Sequence, residues 1–458
     1  MSRSSRTLPA GTRVTDHISL GVIAKTFPLA RIESILADTG AASQRQRDLP
    51  AHVMVYYAIA LALYMTASTR EVLRCLLEGL RWLWGDEVVT VASKSAISQA
   101  RTRLGDKPLE QLYQQTVAPI ATPETRGAWY RHWRVVSLDG SCLEVADTVD
   151  NGDAFGRPSA SRGESAFPQL RFVALVENGT HVLFGTRLGA YSEGELTLAR
   201  DVVPALRKGM LCLADRHFPG YELWQQATAA GADLVWRTRT NARLDRDQIL
   251  PDGSYLSRLY ASTSDRRHEC NGIVVRAIDY WLDGIEGADP IYRLVTTILD
   301  PQAAPAEEVA ALYHERWEIE GALDELKTHL RGARIVLRSK TPELVQQEFW
   351  GLLLAHYAVR GLMHEAALKA DEDPDRLSFL HAVRVIRRKL PLYAAFSPSA
   401  PRPIASSRSR RDPGRARREQ SWPTNAARRE AQDEQLRVAP TRSGADPTAR
   451  LPRRNPGT

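Results

Sequence analysis

Three acidic residues stand in contexts that could hold divalent cations: Asp139 in VVSLDGS, Asp215 in LCLADRHFPGYELW and Glu320 in YHERWEIEGALDELK. Hard divalent cations take carboxylate oxygens. A pair of such ions about 3.5–4 Å apart can stabilise both the attacking and the leaving oxygen of a phosphodiester. Phosphoryl transfer is therefore the chemistry these residues would do. Taken singly, each has a plainer use: Asp139-Gly140 as a turn, Asp215-Arg216 as a strand-to-helix cap, Glu320 as an exposed helical acid. Their conjunction carries the reading.

The residues around Glu320 sharpen it. Tyr313, Arg316, Glu320 and Lys327 follow one another at intervals of three, four and seven. On one continuous helix that spacing brings all four side chains to one face. An acid flanked by a phenol and two cations suits a metal ligand set beside phosphates, and Trp317 would help shape the same surface. A solvated helix with Tyr313 and Trp317 packed inward would need no such register.

The elements that must position these residues follow from periodicity. Strands are predicted over residues 134–139, 169–177 and 180–188, the last two joined by an Asn178-Gly179 hairpin turn. A helix over 193–207, a strand over 210–215, a helix over 220–230 and a strand over 233–238 come next. Further strand signals lie at 272–281 and 291–298, and a long helix begins at Pro305. The order β-β-β-α-β-α-β-α is an α/β arrangement, that of an RNase H-like catalytic core, provided that residues 239–290 form a β-rich insertion. Asp139 would then end the first strand, Asp215 would end the fourth and Glu320 would sit in the last helix, all at one edge. Residues 338–363 and 377–390 read as helices packed on that core.

An all-α N-terminal domain is expected over residues 1–125. A short helix at 29–36, an apolar helix at 50–64 and a capping-box start at Ser68-Thr-Arg-Glu71 precede a third helix at 93–103. That last segment, SKSAISQARTRLG, has the look of a recognition helix, with Lys94 and Arg101 as candidate DNA contacts; the alternative is an ordinary surface helix. The core would occupy 130–238 and 291–396 on either side of the insertion.

Composition adds limits. The formal charge is +7, but residues 397–458 hold fourteen arginines and six acids, so the rest of the chain sums to −1. A DNA-binding argument must therefore rest on local patterns rather than net charge. That Arg-rich tail has no aliphatic periodicity and is expected to be disordered. The four cysteines lack zinc-type spacing and read as reduced, mostly buried thiols. No apolar run reaches about 18 residues and no signal layout opens the chain, which points to a cytoplasmic protein with no membrane partner.

VVSLDGS, LCLADRHFPGYELW and the Tyr-(2)-Arg-(3)-Glu-(6)-Lys register together resemble the insertion-sequence DDE transposases of the insertion element four family, over residues 10–396. The resemblance implies cut-and-paste movement of an element bounded by inverted repeats, with cleavage at its ends and strand transfer of the 3′-OH into target DNA. It implies Asp139, Asp215 and Glu320 as ligands of two Mg²⁺ ions, with Mn²⁺ substituting, and Tyr313, Arg316, Trp317 and Lys327 as contacts to double-stranded DNA. It further implies a homodimer on paired ends, associated with the nucleoid. Where some relatives carry a tryptophan on a strand of the insertion, this chain has Tyr292 and Arg293, which leaves a hairpin intermediate open. Two alternatives stand beside this reading: a catalytically inactive DNA-binding derivative, and an RNase H-like nuclease that cuts without joining.

Overall fold

Apolar strands alternating with helices after residue 128 build one mixed sheet, and the helices before it share its core. The computed structural model describes residues 21–45, 49–84, 91–158, 167–282, 290–332, 335–389 and 436–438. The N-terminal helices are α1 (Gly21–Thr26), α2 (Leu29–Asp38), α3 (Ala51–Leu63), α4 (Thr69–Trp84), α5 (Lys94–Leu104) and α6 (Lys107–Thr116). Strands β1 (Trp129–Tyr130) and β2 (Trp133–Glu144) lead through α7 (Val149–Phe155) to β3 (Gln169–Glu177) and β4 (Val182–Ala190). Then come α8 (Glu195–Val202), β5 (Met210–Ala214), α9 (Tyr221–Ala229) and β6 (Asp233–Thr238). The region expected as an insertion supplies β7 (Gln248–Ile249), β8 (Tyr255–Leu259), α10 (Thr263–Arg267) and β9 (Ile273–Leu282), followed by β10 (Tyr292–Thr296). The chain continues through α11 (Ala306–His314), α12 (Trp317–Asp324), a π turn (Glu325–Leu330), α13 (Pro342–Ala370) and α14 (Phe379–Lys389), and β11 (Leu436–Val438) is described beyond them.

The sheet runs β4-β3-β2-β5-β6-β10-β9-β8-β7, with β1 on β2 and β11 on β9. β5 lies parallel to both β2 and β6, and the other pairings are antiparallel. The insertion strands thus extend the core sheet from its β6 edge through β10. Central strands are buried on both faces: Cys212 and Ala214 of β5 join one apolar core while Leu211 and Leu213 join a second, as the alternation of side chains along a strand requires.

The larger core runs from Ile23 to Ile386, so the N-terminal helices are not packed apart from the sheet. α3 is buried around nearly its whole girth, as the apolar run from Val53 to Leu63 demands, and lies against α13. There Gly351 allows the close approach: a β-carbon on it would stand 2.6 Å from the Ala58 carbonyl oxygen.

Several expectations shift. β2 runs on to Glu144 because residues 140–144 keep pairing with β3, from Gly140 opposite Val173 to Glu144 opposite Gln169. Asp139 is therefore inside a strand, not at its end. The helix expected from Pro305 breaks at Glu315 and Arg316, where Glu315 N–H donates to the Leu312 carbonyl and Arg316 N–H to that of Tyr313, i→i−3 bonds that tighten the backbone. Of the cysteines only Cys212 is buried; Cys75 and Cys142 are half-buried and Cys270 is exposed, and none of the four is in a disulfide. Within the Arg-rich tail, residues 436–438 are the part described, and they form a strand antiparallel to the end of β9; the rest of 397–458 lies outside the described residues. No described helix is long and apolar enough to cross a membrane.

Candidate active site

Pairing geometry brings Asp139 and Asp215 together. In the parallel ladder the last partners are Leu138 of β2 and Ala214 of β5, so the two aspartates are the next residues on neighbouring strands. β5 stops there because the Asp215 carboxylate accepts the backbone N–H of His217 at 2.8 Å, an Asx turn that bends the chain away. β2 continues, and strand alternation puts Ser141 on the same side as Asp139.

The broken helix supplies the rest. Arg316, at the kink, directs Nη1 to Asp139 Oδ2 and Nη2 to Glu320 Oε1, each at 3.5 Å. Lys327 reaches Ser141 Oγ at 2.9 Å from the π turn. The four residues of the register do not form one exposed stripe. Tyr313 sinks into the second core beside Val309 and Leu312, the Glu320 side chain is 48% exposed, and Arg316 lies between them. Trp317 is exposed, with the Arg316 guanidinium 5.5 Å from its ring centre.

The electrostatics follow from this crowding. Burial pushes the Asp139 carboxyl up to about 6; Asp215 and Glu195 push the same way, against the Gly140 N–H and Arg316. Burial works against the charge on Arg316, but Tyr313, Asp139, Glu320 and Asp215 outweigh it and hold its pKa up. Tyr313 is raised by burial and keeps its proton, while burial together with Arg316 and Arg237 lowers His314 to about 4, leaving it neutral. Carboxylates forced together around one guanidinium are a donor set of hard oxygens with unmet negative charge, which fits divalent cations.

Behind the helix lies a second charged group. Glu318, two residues before Glu320 and buried, accepts the Gly179 N–H from the β3–β4 turn. His181, Glu318 and Asp375 bring ligand-type atoms within 4.8 Å of one another, but Arg360 already pairs with Asp375 and with Glu325, at 3.4 Å each. An internal cation therefore occupies the role that a metal would have there. Burial pushes Glu325 up, but Arg360 and His181 outweigh it and hold the carboxyl below the usual range.

The expected contacts of α5 divide. Lys94 is exposed at the helix start. Arg101 is 6% exposed and cannot meet DNA: it bonds Gln347 at 2.8 Å, Ser339 at 3.0 Å and the Leu344 carbonyl at 3.2 Å. The exposed arginine of this helix is Arg103. Three residues passed over in the sequence stand near the site: Ser141, Glu195 and Arg237. Ser141 was legible from its two-residue spacing to Asp139. Glu195 reads locally as a helix-opening acid, and Arg237, stacked over Tyr292 at 4.4 Å, carries no motif.

Residues 17–114 match the family profile described as insertion element 4 transposase N-terminal, and residues 132–358 match the transposase DDE domain. The transposase InsG for insertion sequence element IS4 of Escherichia coli K12 is 29% identical over 382 residues, covering 80% of this chain and 82% of that protein. The putative transposase InsZ of the same organism is 23% identical over 219 residues, covering 48% of this chain and 71% of that one. A solved piggyBac transposase synaptic complex with hairpin DNA aligns over 82% of this chain and 81% of its own, at 11% identity and a TM-score of 0.46. With two profiles in tandem and a relative aligned along four-fifths of both chains, the acids gathered at the β2–β5 edge belong to a DDE transposase of the insertion element 4 family.

Proposed function

We propose that Asp139, Asp215 and Glu320 are the metal-binding triad of this transposase and that Tyr313, Arg316, Trp317 and Lys327 form its grip on DNA phosphates. The observation that carries the reading is the Arg316 guanidinium, 3.5 Å from both Asp139 and Glu320. It ties the strand acid to the helix acid, Arg316 itself lying 177 residues along the chain from Asp139. An RNase H-like order, three antiparallel strands followed by two parallel ones, supports the same reading, as does the adjacency of the two aspartates.

Two Mg²⁺ ions, replaceable by Mn²⁺, suit three carboxylates. When bound they supply charge stabilisation to the attacking and leaving oxygens of the scissile phosphate. The chain's own residues do the rest. Arg316 and Lys327 donate hydrogen bonds to non-bridging phosphate oxygens and hold the phosphate in line with its nucleophile. Tyr313, buried in the second core, remains neutral and supports Arg316 from beneath, and Trp317 offers an exposed ring to the DNA. Water attacks first and frees a 3′-OH at the element end; that hydroxyl then attacks target DNA, with no covalent enzyme intermediate. Lys94, with Ser98, Gln99 and Arg103 on the exposed side of α5, contributes contacts to the terminal inverted repeat. A homodimer on paired ends, working at the nucleoid in the cytoplasm, completes the proposal.

The test incubates purified full-length protein with a labelled duplex carrying the element's terminal repeat, Mg²⁺ and a supercoiled plasmid. Nicking at the repeat boundary followed by joining is expected. Asp139→Ala, Asp215→Ala and Glu320→Ala should each lower cleavage by at least about 10³-fold and keep end binding. Retained cleavage in any of them overturns its place in the triad. Cutting without joining identifies a nuclease, and binding without cutting an inactive derivative.

A further inference from the structure

We propose that Ser141 is a positioning residue for phosphoryl transfer: its hydroxyl holds the Lys327 ammonium on the Asp139 side of β2 and aims it at a substrate phosphate. The inference rests on reading Lys327 as a phosphate contact. Ser141 lies two residues beyond Asp139, in the part of β2 that stays paired with β3, where it stands opposite Phe172. Side chains two apart on a strand share one face and are about 7 Å from each other. On to this strand packs α12, the helix that carries Glu320. Lys327 follows in the next turn, and its Nζ donates to Ser141 Oγ at 2.9 Å, a half-buried contact between residues 186 positions apart in the chain.

Two features separate this pair from a surface lysine resting on the nearest hydroxyl. The first is charge. Arg316 shares its positive charge with Asp139 and Glu320, whereas among the described residues no carboxylate comes within ion-pair distance of Lys327. A hydroxyl accepts a hydrogen bond but carries no charge, so Ser141 fixes the direction of the ammonium and leaves its charge whole. A half-buried cation held this way is set for an anion, and the phosphodiester is the anion of this reaction. The second is the backbone beneath it. Lys327 sits in the π turn Glu325–Leu330, where Arg331 N–H reaches back five residues to the Leu326 carbonyl at 3.2 Å. Such turns are rare inside helices, and a lysine that only met solvent would need none. The π turn at its base and Ser141 at its tip restrict a long, rotamer-rich side chain, which orients its charge before DNA arrives.

The test uses the full chain and element-end duplexes in which single phosphates around the cleavage position are replaced by uncharged methylphosphonates. One replacement should slow nicking by the parent and have no further effect on Lys327→Ala, which marks the phosphate that Lys327 meets. Ser141→Ala should nick roughly 10-fold more slowly and lose most of its sensitivity to that same replacement, while end binding and Mn²⁺ binding stay at parental strength. Ser141→Thr should recover most of both. Ser141→Val has the shape of Ser141→Thr without the hydroxyl and suits a strand, so this pair decides the matter if Ser141→Ala fails to fold. Full parental sensitivity in Ser141→Ala or Ser141→Val, beside lost sensitivity in Lys327→Ala, overturns the role of Ser141 alone. Weakened Mn²⁺ binding in Ser141→Ala also overturns it, since the residue would then act through Asp139. Parental sensitivity to every replacement in Lys327→Ala overturns the phosphate contact itself.

Discussion

Burial holds the charged form of Asp139 in a disfavoured state, and that has a measurable sign. Its pKa rises from the ordinary 3.8 to about 6, so the native state binds this proton more tightly than the unfolded chain does. Its contribution to stability is fully present below pH 3.8 and is lost as pH rises through 6. A shift of roughly two units corresponds to at most about 3 kcal/mol. Metal-free Asp139→Asn should therefore melt higher than the parent at pH 7.5 and at the same temperature near pH 3.5, checked by calorimetry with a chelator present. Equal melting at both pH values would mean that Asp139 is not held in a disfavoured charged state. The same substitution should abolish cleavage, so stability and activity would move in opposite directions, as expected where function maintains a costly arrangement.

The element that presents Glu320 is held from behind. Arg360 of α13 donates to the Thr180 carbonyl at 2.6 Å and pairs with Glu325 and Asp375. Glu318 binds the β3–β4 turn, and His356 lies 3.4 Å from Glu325. These contacts hold the short α12 segment, whose eight residues are too few to be stable by themselves. Removing one partner from a buried charged network leaves the others uncompensated, at about 3–5 kcal/mol. Arg360→Met should lower the chain's stability by that order and reduce nicking even at temperatures where the fold persists. Urea unfolding alongside the nicking assay checks it; unchanged stability would show that solvent already satisfies these acids. Part of this element was legible in advance: the register singled out Arg316, which the structure sets between Asp139 and Glu320, and Lys327, which it sets at Ser141. The break at Glu315 was not, because it depends on Asn178 donating to the Glu315 carbonyl at 3.0 Å, a partner 137 residues away.

Across the whole molecule, charge and core are separated. The apolar core runs through the N-terminal helices, the sheet and α13, while the surplus of positive charge belongs to residues 397–458. Each phosphate neutralised by a basic group releases condensed counterion and steepens the salt dependence of binding. A chain ending at residue 396 should bind non-specific duplex more weakly, with a shallower slope of log affinity against log salt, and still nick at the element end. Fluorescence anisotropy between 50 and 200 mM salt measures the slope; identical slopes would exclude the tail from DNA binding. Removing the tail also removes β11 from the edge of β9, so loss of end nicking in the shortened chain would assign that strand a structural role.

The sequence by itself singled out three acids as candidates, the cations around Glu320, the order of strands and helices and the apolar run Val53–Leu63 of α3, since each is written in residue type and local period. Only the tertiary structure decided where the neighbours of those elements end. β5 stops at Ala214 while β2 goes on, which turns Asp139 from a strand end into a strand interior without separating it from Asp215. Arg101 met Gln347 across 246 residues and left the surface, and Glu195 found the space over Gly140. Local periodicity reports which way a side chain points from its own element. What it meets there is set by the packing of elements distant in the chain.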